Sequence, residues 1–194
     1  MKLEGKRIGF VFTGSFCTFR KTIDELKKIV NMNAIVIPIM SENSYNMETK
    51  FGKAQDFIKE IEDLTGNKIL HTIQEVEPLG PKDMIDVIVV APATGNTIAK
   101  LANDIIDGPA TMAVKSVLRR EKPVIIAPST NNGLSSAGEN IGKLLNRKHY
   151  FFVPFKQDNP ITKPRSIVFD VSYLVKTIEF ALDGEQIQPI LLWI

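Results

Sequence analysis

Thr13-Gly14-Ser15-Phe16-Cys17-Thr18 is the first stretch of the sequence whose residue types could do chemistry. It follows Arg7 to Thr13, an apolar run that reads as a buried first strand, and precedes Phe19 to Val30, which reads as a helix. A strand, a short turn with one glycine and three hydroxyls, and a helix start make an anion site. Backbone N–H groups face outward there, the helix dipole favours negative charge, and glycine lets a phosphate approach the backbone. The turn is neither G-x-G-x-x-G nor G-x-x-x-x-G-K-[ST], so the common dinucleotide and P-loop readings lose support. An ordinary strand-to-helix turn uses the same residues, and this motif alone leaves both readings open.

The elements that must position this turn alternate along the chain. Asn33 to Ser41 reads as a second strand, with Pro38 unusual for a fully paired centre. Lys53 to Leu64 has a helical period closed by Gly66-Asn67, Lys68 to Ile73 reads as a short strand, and Pro78-Leu79-Gly80-Pro81 as a turn. Asp86 to Ala91 is the clearest buried strand, followed by helices Thr97 to Ile106 and Ala110 to Arg120. Strand Pro123 to Ala127, helix Ala137 to Asn146 and strand Tyr150 to Val153 come next. Phe155 to Ser166 reads as a polar, proline-bearing loop and Val168 to Leu182 as a last helix. Short β-rich runs between helices predict an α/β chain with one doubly wound, Rossmann-like parallel sheet, forming one domain over residues 1–194.

Composition narrows the function classes. Among 194 residues, 24 basic and 22 acidic side chains leave a net charge of +2, which gives no electrostatic case for nucleic-acid or polybasic membrane binding. One cysteine excludes an internal disulfide, and two distant histidines without a His-x-x-x-His pair argue against a metal site. The amino terminus lacks the apolar core of a signal peptide, and no apolar run is long enough to span a bilayer, so a cytoplasmic protein is expected.

In a doubly wound sheet, ligands bind outside the carboxyl ends of the strands. Those ends carry Thr13-Gly14-Ser15, then Ser41, then Ala91-Pro92-Ala93-Thr94-Gly95-Asn96-Thr97, then Ala127-Pro128-Ser129-Thr130-Asn131. Small side chains leave room for a flat ring against the backbone, Asn96 and Asn131 can donate and accept at ring edges, and the hydroxyls suit ribityl or phosphate oxygens. Helix N-caps favour the same residue types at any one end. Four ends sharing the character point to a binding cleft, and the absence of charge at these tips points to binding more than to acid–base work.

The run Ala91-Pro92-Ala93-Thr94-Gly95-Asn96-Thr97-Ile98-Ala99-Lys100 resembles the A-P-A-T-A-N-T-I-A-K motif of the homo-oligomeric flavin-containing Cys decarboxylase (HFCD) flavoproteins. Pro128-Ser129-Thr130-Asn131 falls where that superfamily has P-A-M-N, and Thr13-Gly14-Ser15 matches its phosphate turn. The resemblance implies FMN, with its phosphate near Thr13, Gly14 and Ser15, Ser41 near the cofactor, and the ring near Ala93, Thr94, Asn96, Thr97, Ser129 and Asn131. It also implies a homo-oligomer. Besides Gly95 in place of the motif's alanine, the sequence departs from the superfamily pattern as follows. Glu77-Pro78-Leu79-Gly80 stands where the decarboxylases place a catalytic histidine, Thr130 replaces the methionine, and Asp104 replaces a glycine after the helix.

Gly5-Lys6-Arg7-Ile8-Gly9-Phe10, Glu77-Pro78-Leu79-Gly80-Pro81, Val153-Pro154-Phe155-Lys156-Gln157-Asp158, Lys163-Pro164 and Gly184-Glu185-Gln186-Ile187-Gln188-Pro189 narrow the resemblance to the family of B-type dipicolinate synthase subunits. That resemblance implies oxidation of a dihydropyridine dicarboxylate to pyridine-2,6-dicarboxylate in the mother cell of a sporulating bacterium. The partner it implies is the A-type subunit of dipicolinate synthase, which would bring NADP. A small dicarboxylate substrate needs cations, and Lys50, Lys156, Lys163 and Arg165 stand in loops that could supply them. The other readings are a flavin-dependent decarboxylase or lyase of the same fold, or a non-catalytic partner of the nicotinamide-binding chain. No residue is assigned a catalytic role. Cys17 reads as a small buried residue at a helix start, and the apolar tail Ile190 to Ile194 as a surface that self-association would cover.

Overall fold

The computed structural model describes residues 2–193, and Ile194 of the apolar tail lies outside them. The chain begins β1 (Arg7–Phe12), α1 (Phe19–Asn31), β2 (Ile35–Met40), α2 (Glu42–Asn46), α3 (Ala54–Thr65) and α4 (Ile73–Val76). It continues β3 (Val87–Ala93), α5 (Gly95–Ala102), α6 (Pro109–Leu118), β4 (Val124–Thr130) and α7 (Ser136–Leu145). It ends β5 (Tyr150–Phe152), β6 (Phe155–Asn159), β7 (Lys163–Phe169) and α8 (Leu174–Leu182). Strands β2, β1, β3, β4 and β5 lie side by side and parallel, with helices packed on them. Among the described residues, no helix is long and apolar enough to cross a membrane.

The strand sequences explain this order. β3 is buried at all seven positions and β1 at all but its first, as expected for strands covered on both faces. At the amino ends Arg7 locks β1 to β3: its backbone N–H and its Nε donate to Asp86 Oδ2 at 2.8 and 3.2 Å. The Arg7 guanidinium holds the Asp86 carboxyl below the ordinary carboxylate range. Pro38 is accommodated because β2 is an outer strand. Its carbonyl faces the edge and accepts from Leu70 N–H at 3.0 Å.

An aromatic chain fixes the turn after β1. Phe12, the last residue of β1, meets Phe19, the first of α1, edge-on with ring centroids 5.5 Å apart. Phe19 in turn meets Phe57 of α3 at 5.3 Å, and all three are buried. Residues 13–18 therefore span two anchored rings.

Two sequence expectations fail. Lys68 to Ile73 is not a strand. Leu70 makes one bridge to Ile39, and a capping box of Thr72 and Glu75 then starts α4. Phe155 to Ser166 is not a loop but the hairpin β6–β7, whose last residues, Val168 and Phe169, replace the expected start of the final helix. The sheet is therefore mixed, not wholly parallel. β4 pairs with β5 through Val124 to Ile126 and then, antiparallel, with β7 through Ser129 and Thr130. The polar signal that suggested a loop comes from the hairpin's outer positions and its tip, where Asn159 Oδ1 accepts from Ile161 and Thr162 N–H at 3.0 and 2.9 Å.

Candidate functional site

The carboxyl ends of β1, β3 and β4 are joined by hydroxyls. The Thr13 hydroxyl donates to Pro92 O at 2.7 Å and accepts from Thr94 N–H at 3.0 Å, binding the end of β1 to the end of β3. Ser15 Oγ lies 2.8 Å from Ser129 Oγ, joining the turn after β1 to the end of β4 across β3. Ser44 Oγ donates to Phe12 O at 2.8 Å and brings the start of α2 to the same place. Thr13 is buried and both capacities of its hydroxyl are engaged within the protein, so it positions the tips and does not face a ligand.

Two clefts open above these tips. The larger, about 870 Å³, is lined by Gly14, Ser15, Thr94, Asn96, Ser129 and Asn131 together with residues of the hairpin. The smaller, about 240 Å³, is lined by Gly14, Ser41, Thr94, Asn96 and Thr97 together with the start of α6. Gly14, Thr94 and Asn96 border both. The structure thus gathers eight of the ten sequence-expected residues around the clefts, with Thr13 beneath them. Ala93 is fully buried at the end of β3 and lines neither cleft.

The ends of β1, β3 and β4 form a neutral polar seat, with Glu42, Lys100 and Asp107 on the wall of the smaller cleft. Ser41 caps α2, accepting from Ser44 N–H at 3.3 Å, and Thr94 caps α5, accepting from Thr97 N–H at 3.2 Å. The amides of Gly95 and Asn96, in the first turn of α5, have no partner within the helix by construction. The Asn96 and Asn131 side chains are exposed and have no hydrogen-bond partner among the described residues, so their amides are available at the mouths of the clefts. No histidine lines either cleft. His71 stacks on Tyr45 with ring centroids 3.9 Å apart.

Charge enters from α1, read as a helix from the sequence, and from the hairpin that was expected to be a loop. Lys156 and Lys163, both expected, and Lys21 of α1, not expected, line the larger cleft, whereas Lys50 and Arg165 do not. Lys163 is paired with Asp158 at 2.6 Å, and that hydrogen bond holds its ammonium above its ordinary pKa. A helical period marks only the buried face of α1, so it gives no signal for Lys21. Cys17 is exposed and lines the larger cleft, contrary to the buried reading, with Sγ 3.8 Å from Ser15 Oγ.

The departures from the motif become intelligible in three dimensions. A Cβ on Gly95 would lie 2.5 Å from Thr130 Oγ1 and 2.8 Å from Asn132 Oδ1, and the Thr130 hydroxyl donates to that same oxygen. Gly95 and Thr130, both unlike the motif, are neighbours. Asp104 adopts φ of 55°, the left-handed backbone a glycine would favour. Arg147 closes that turn, donating to Asp104 Oδ1 at 2.9 Å, Oδ2 at 3.1 Å and Ala102 O at 2.9 Å. Gly95→Ala is expected to push Thr130 off Asn132 and cost about 1–2 kcal/mol, less than a rigid clash because the neighbours are side chains. Thermal unfolding checks it: the midpoint should fall by roughly 3–6 °C.

Comparison with known proteins supplies the relationship. The Flavoprotein family model matches residues 1–178. The B-type subunit of dipicolinate synthase from Bacillus subtilis (strain 168) is 44% identical over 189 residues, covering 97% of this chain and 94% of that protein. The crystal structure of its counterpart from Bacillus halodurans C superposes with a TM-score of 0.91 at 40% identity, covering 100% of this chain and 99% of the other. DmrB of Burkholderia xenovorans in complex with FMN, a cubic protein cage for redox transfer, shares the fold alone. Its TM-score is 0.68 at 16% identity, over 92% of this chain and 96% of that one. By sequence and by fold, this chain belongs to the flavoprotein family.

Proposed function

We propose that this chain is the flavin-binding, B-type subunit of dipicolinate synthase. It would hold FMN at the strand tips and act with the A-type partner, the nicotinamide-binding chain that carries NADP, in oxidising a dihydropyridine dicarboxylate to pyridine-2,6-dicarboxylate. The observation that carries the reading is the neutral seat above β1, β3 and β4, in a chain 44% identical to the Bacillus subtilis protein. The residues present fit a flavin mononucleotide. The first-turn amides of α5 and the turn at Gly14 and Ser15 suit a phosphate, no carboxylate stands at the ends of β1, β3 and β4, and the larger cleft is of ligand size.

In the overall reaction the substrate ring gives up one hydride and one proton and becomes aromatic. A bound flavin supplies a two-electron acceptor for that hydride. The task of this chain is positioning. Thr13, Ser15 and Ser129 hold the tips together, and Asn96 and Asn131 present amides to ring edges. The ends of β1, β3 and β4 carry no acid or base, and the proton would leave to solvent or to one of the carboxylates that line the clefts, Glu42, Asp107, Asp158 and Asp170. The absence of histidine from both cleft linings favours oxidation over a decarboxylase or lyase reaction. The proposed setting is the cytoplasm of the mother cell in a sporulating bacterium. Self-association, the second part of the partner reading, is supported by Leu191 and Trp193, which are 67% and 95% exposed.

The test is dipicolinate formation from freshly generated dihydropyridine substrate by each chain separately and by the two together, with the visible flavin spectrum of this chain recorded beforehand. Activity only from the mixture, with flavin bound, is the expected result. Full activity from the A-type partner alone would make this chain non-catalytic. Full activity from this chain alone would overturn the assignment of the nicotinamide site to the partner.

A further inference from the structure

Away from the strand tips, the larger cleft is lined by Lys21 of α1, Phe51 of the segment before α3, and Lys156, Lys163 and Ser166 of the hairpin. The charges there do not cancel. Asp158 is paired with Lys163 at 2.6 Å, while Asp170 keeps its charge, its Oδ1 accepting from the N–H and hydroxyl of Ser172 at 3.0 and 2.7 Å, so three lysines face two carboxylates. Lys21 and Lys156 have no acidic partner among the described residues. They come from separate elements, which suits a ligand with two separated negative charges better than one compact anion.

Two further observations point to a ligand in the same space. Ser166 lines the cleft, and its hydroxyl makes no hydrogen bond among the described residues while remaining open to solvent. A solvent-facing hydroxyl on a cleft wall can exchange its water for a polar group that enters. Phe51 is 49% exposed beside a polar cavity. Its place is fixed by a tight turn in which Thr49 and Gly52 exchange backbone hydrogen bonds of 3.2 and 3.1 Å, while Phe51 N–H donates to Thr49 Oγ1 at 3.2 Å. Lys50 Nζ stands over the ring, 5.4 Å from its centroid, and a half-exposed ring can offer its other face to a flat ligand.

We propose that this part of the larger cleft is the substrate subsite: a planar ring stacks on Phe51, its two carboxylates pair with Lys21 and Lys156, and Ser166 donates to one carboxylate oxygen. The assignment rests on the function proposed above and adds the residues that select a dicarboxylate. Lysine, a point charge on a flexible stem, holds such a ligand while both ammonium groups keep access to water, so affinity stays modest and product can leave.

The experiment is calorimetric titration of the chain with pyridine-2,6-dicarboxylate and with pyridine-2-carboxylate, for wild type and for Lys21→Gln, Lys156→Gln, Phe51→Ala and Ser166→Ala. Each glutamine variant should weaken the dicarboxylate by about 5–30-fold and the monocarboxylate by less, with the difference shrinking at high salt. FMN affinity, measured in parallel, should stay within about twofold, because the flavin seat at the strand tips keeps its contacts. Dicarboxylate affinity unchanged in both lysine variants overturns the subsite. So does a wild-type chain that binds no dicarboxylate while its mixture with the A-type partner still forms it, and the proposed function then stands. A mixture that forms no dipicolinate overturns the proposed function instead.

Discussion

Gly14→Asp is expected to abolish FMN binding, while Gly14→Ala leaves it nearly unchanged. Gly14 borders both clefts in the turn assigned to the phosphate. A Cβ there would lie 3.7 Å from Asn43 Cβ and from Phe16 Cε2, ordinary van der Waals contact, so a side chain can be introduced without displacing the backbone. The two variants therefore separate charge from bulk. A carboxylate within about 4–5 Å of a phosphate, at an effective dielectric constant near 20, costs about 3–4 kcal/mol per pair of unit charges, more than a hundredfold in affinity. Fluorescence titration with FMN measures it. Wild-type affinity in both variants would place the phosphate elsewhere, and equal losses in both would mean that the turn had been deformed.

The largest effect on stability is expected at Gly80, in the turn between α4 and β3. A Cβ at this position would lie 1.8 Å from the backbone oxygen of Ser116 and 2.9 Å from its Oγ. The contact is also a hydrogen-bonded one. Gly80 N–H donates to Ser116 Oγ at 2.8 Å, and that hydroxyl donates to Glu77 O at 2.6 Å, so the turn lies directly on α6. Backbone cannot retreat as a flexible side chain can. Gly80→Ala should cost at least about 3 kcal/mol, lowering the unfolding midpoint by roughly 10 °C, or prevent soluble expression. Gly142→Ala is the companion measurement. In α7 nothing lies within 4 Å of the new methyl group, and replacing helical glycine should add about 0.5–1 kcal/mol. Similar midpoints for the two variants would contradict the close approach of the turn to α6.

These expectations show which parts of the molecule were legible before its fold was known. β1, β3 and β4 were readable because strands covered on both faces are written as continuous apolar runs, and the buried Ala91-Pro92 and Ala127-Pro128 stand just before the half-buried Thr94 and Thr130. The hairpin was not, because β6 is an outer strand and β7 begins with three exposed residues, Lys163, Pro164 and Arg165, so neither carries the apolar run of a central strand. The candidate site divides along the same line. Its residue types were visible at the strand ends, but the role of Thr13 depends on partners about 80 positions away, Pro92 and Thr94. The fit of Gly95 against Thr130 joins two helix-adjacent turns that no local pattern relates.

Ser15 and Ser129 meet hydroxyl to hydroxyl, and Thr13 ties β1 to β3 with the same group, so nothing in the frame that aligns the three strand ends gains or loses a proton. Between about pH 5 and 8 serine and threonine keep one charge state, so acidity in that range acts on a guest and on nearby ionisable side chains but not on the frame. A phosphate that passes from one negative charge to two near about pH 6 enters the same geometry on both sides of that step. The seat is electrically silent, and the pH dependence of binding there becomes a titration of the visitor.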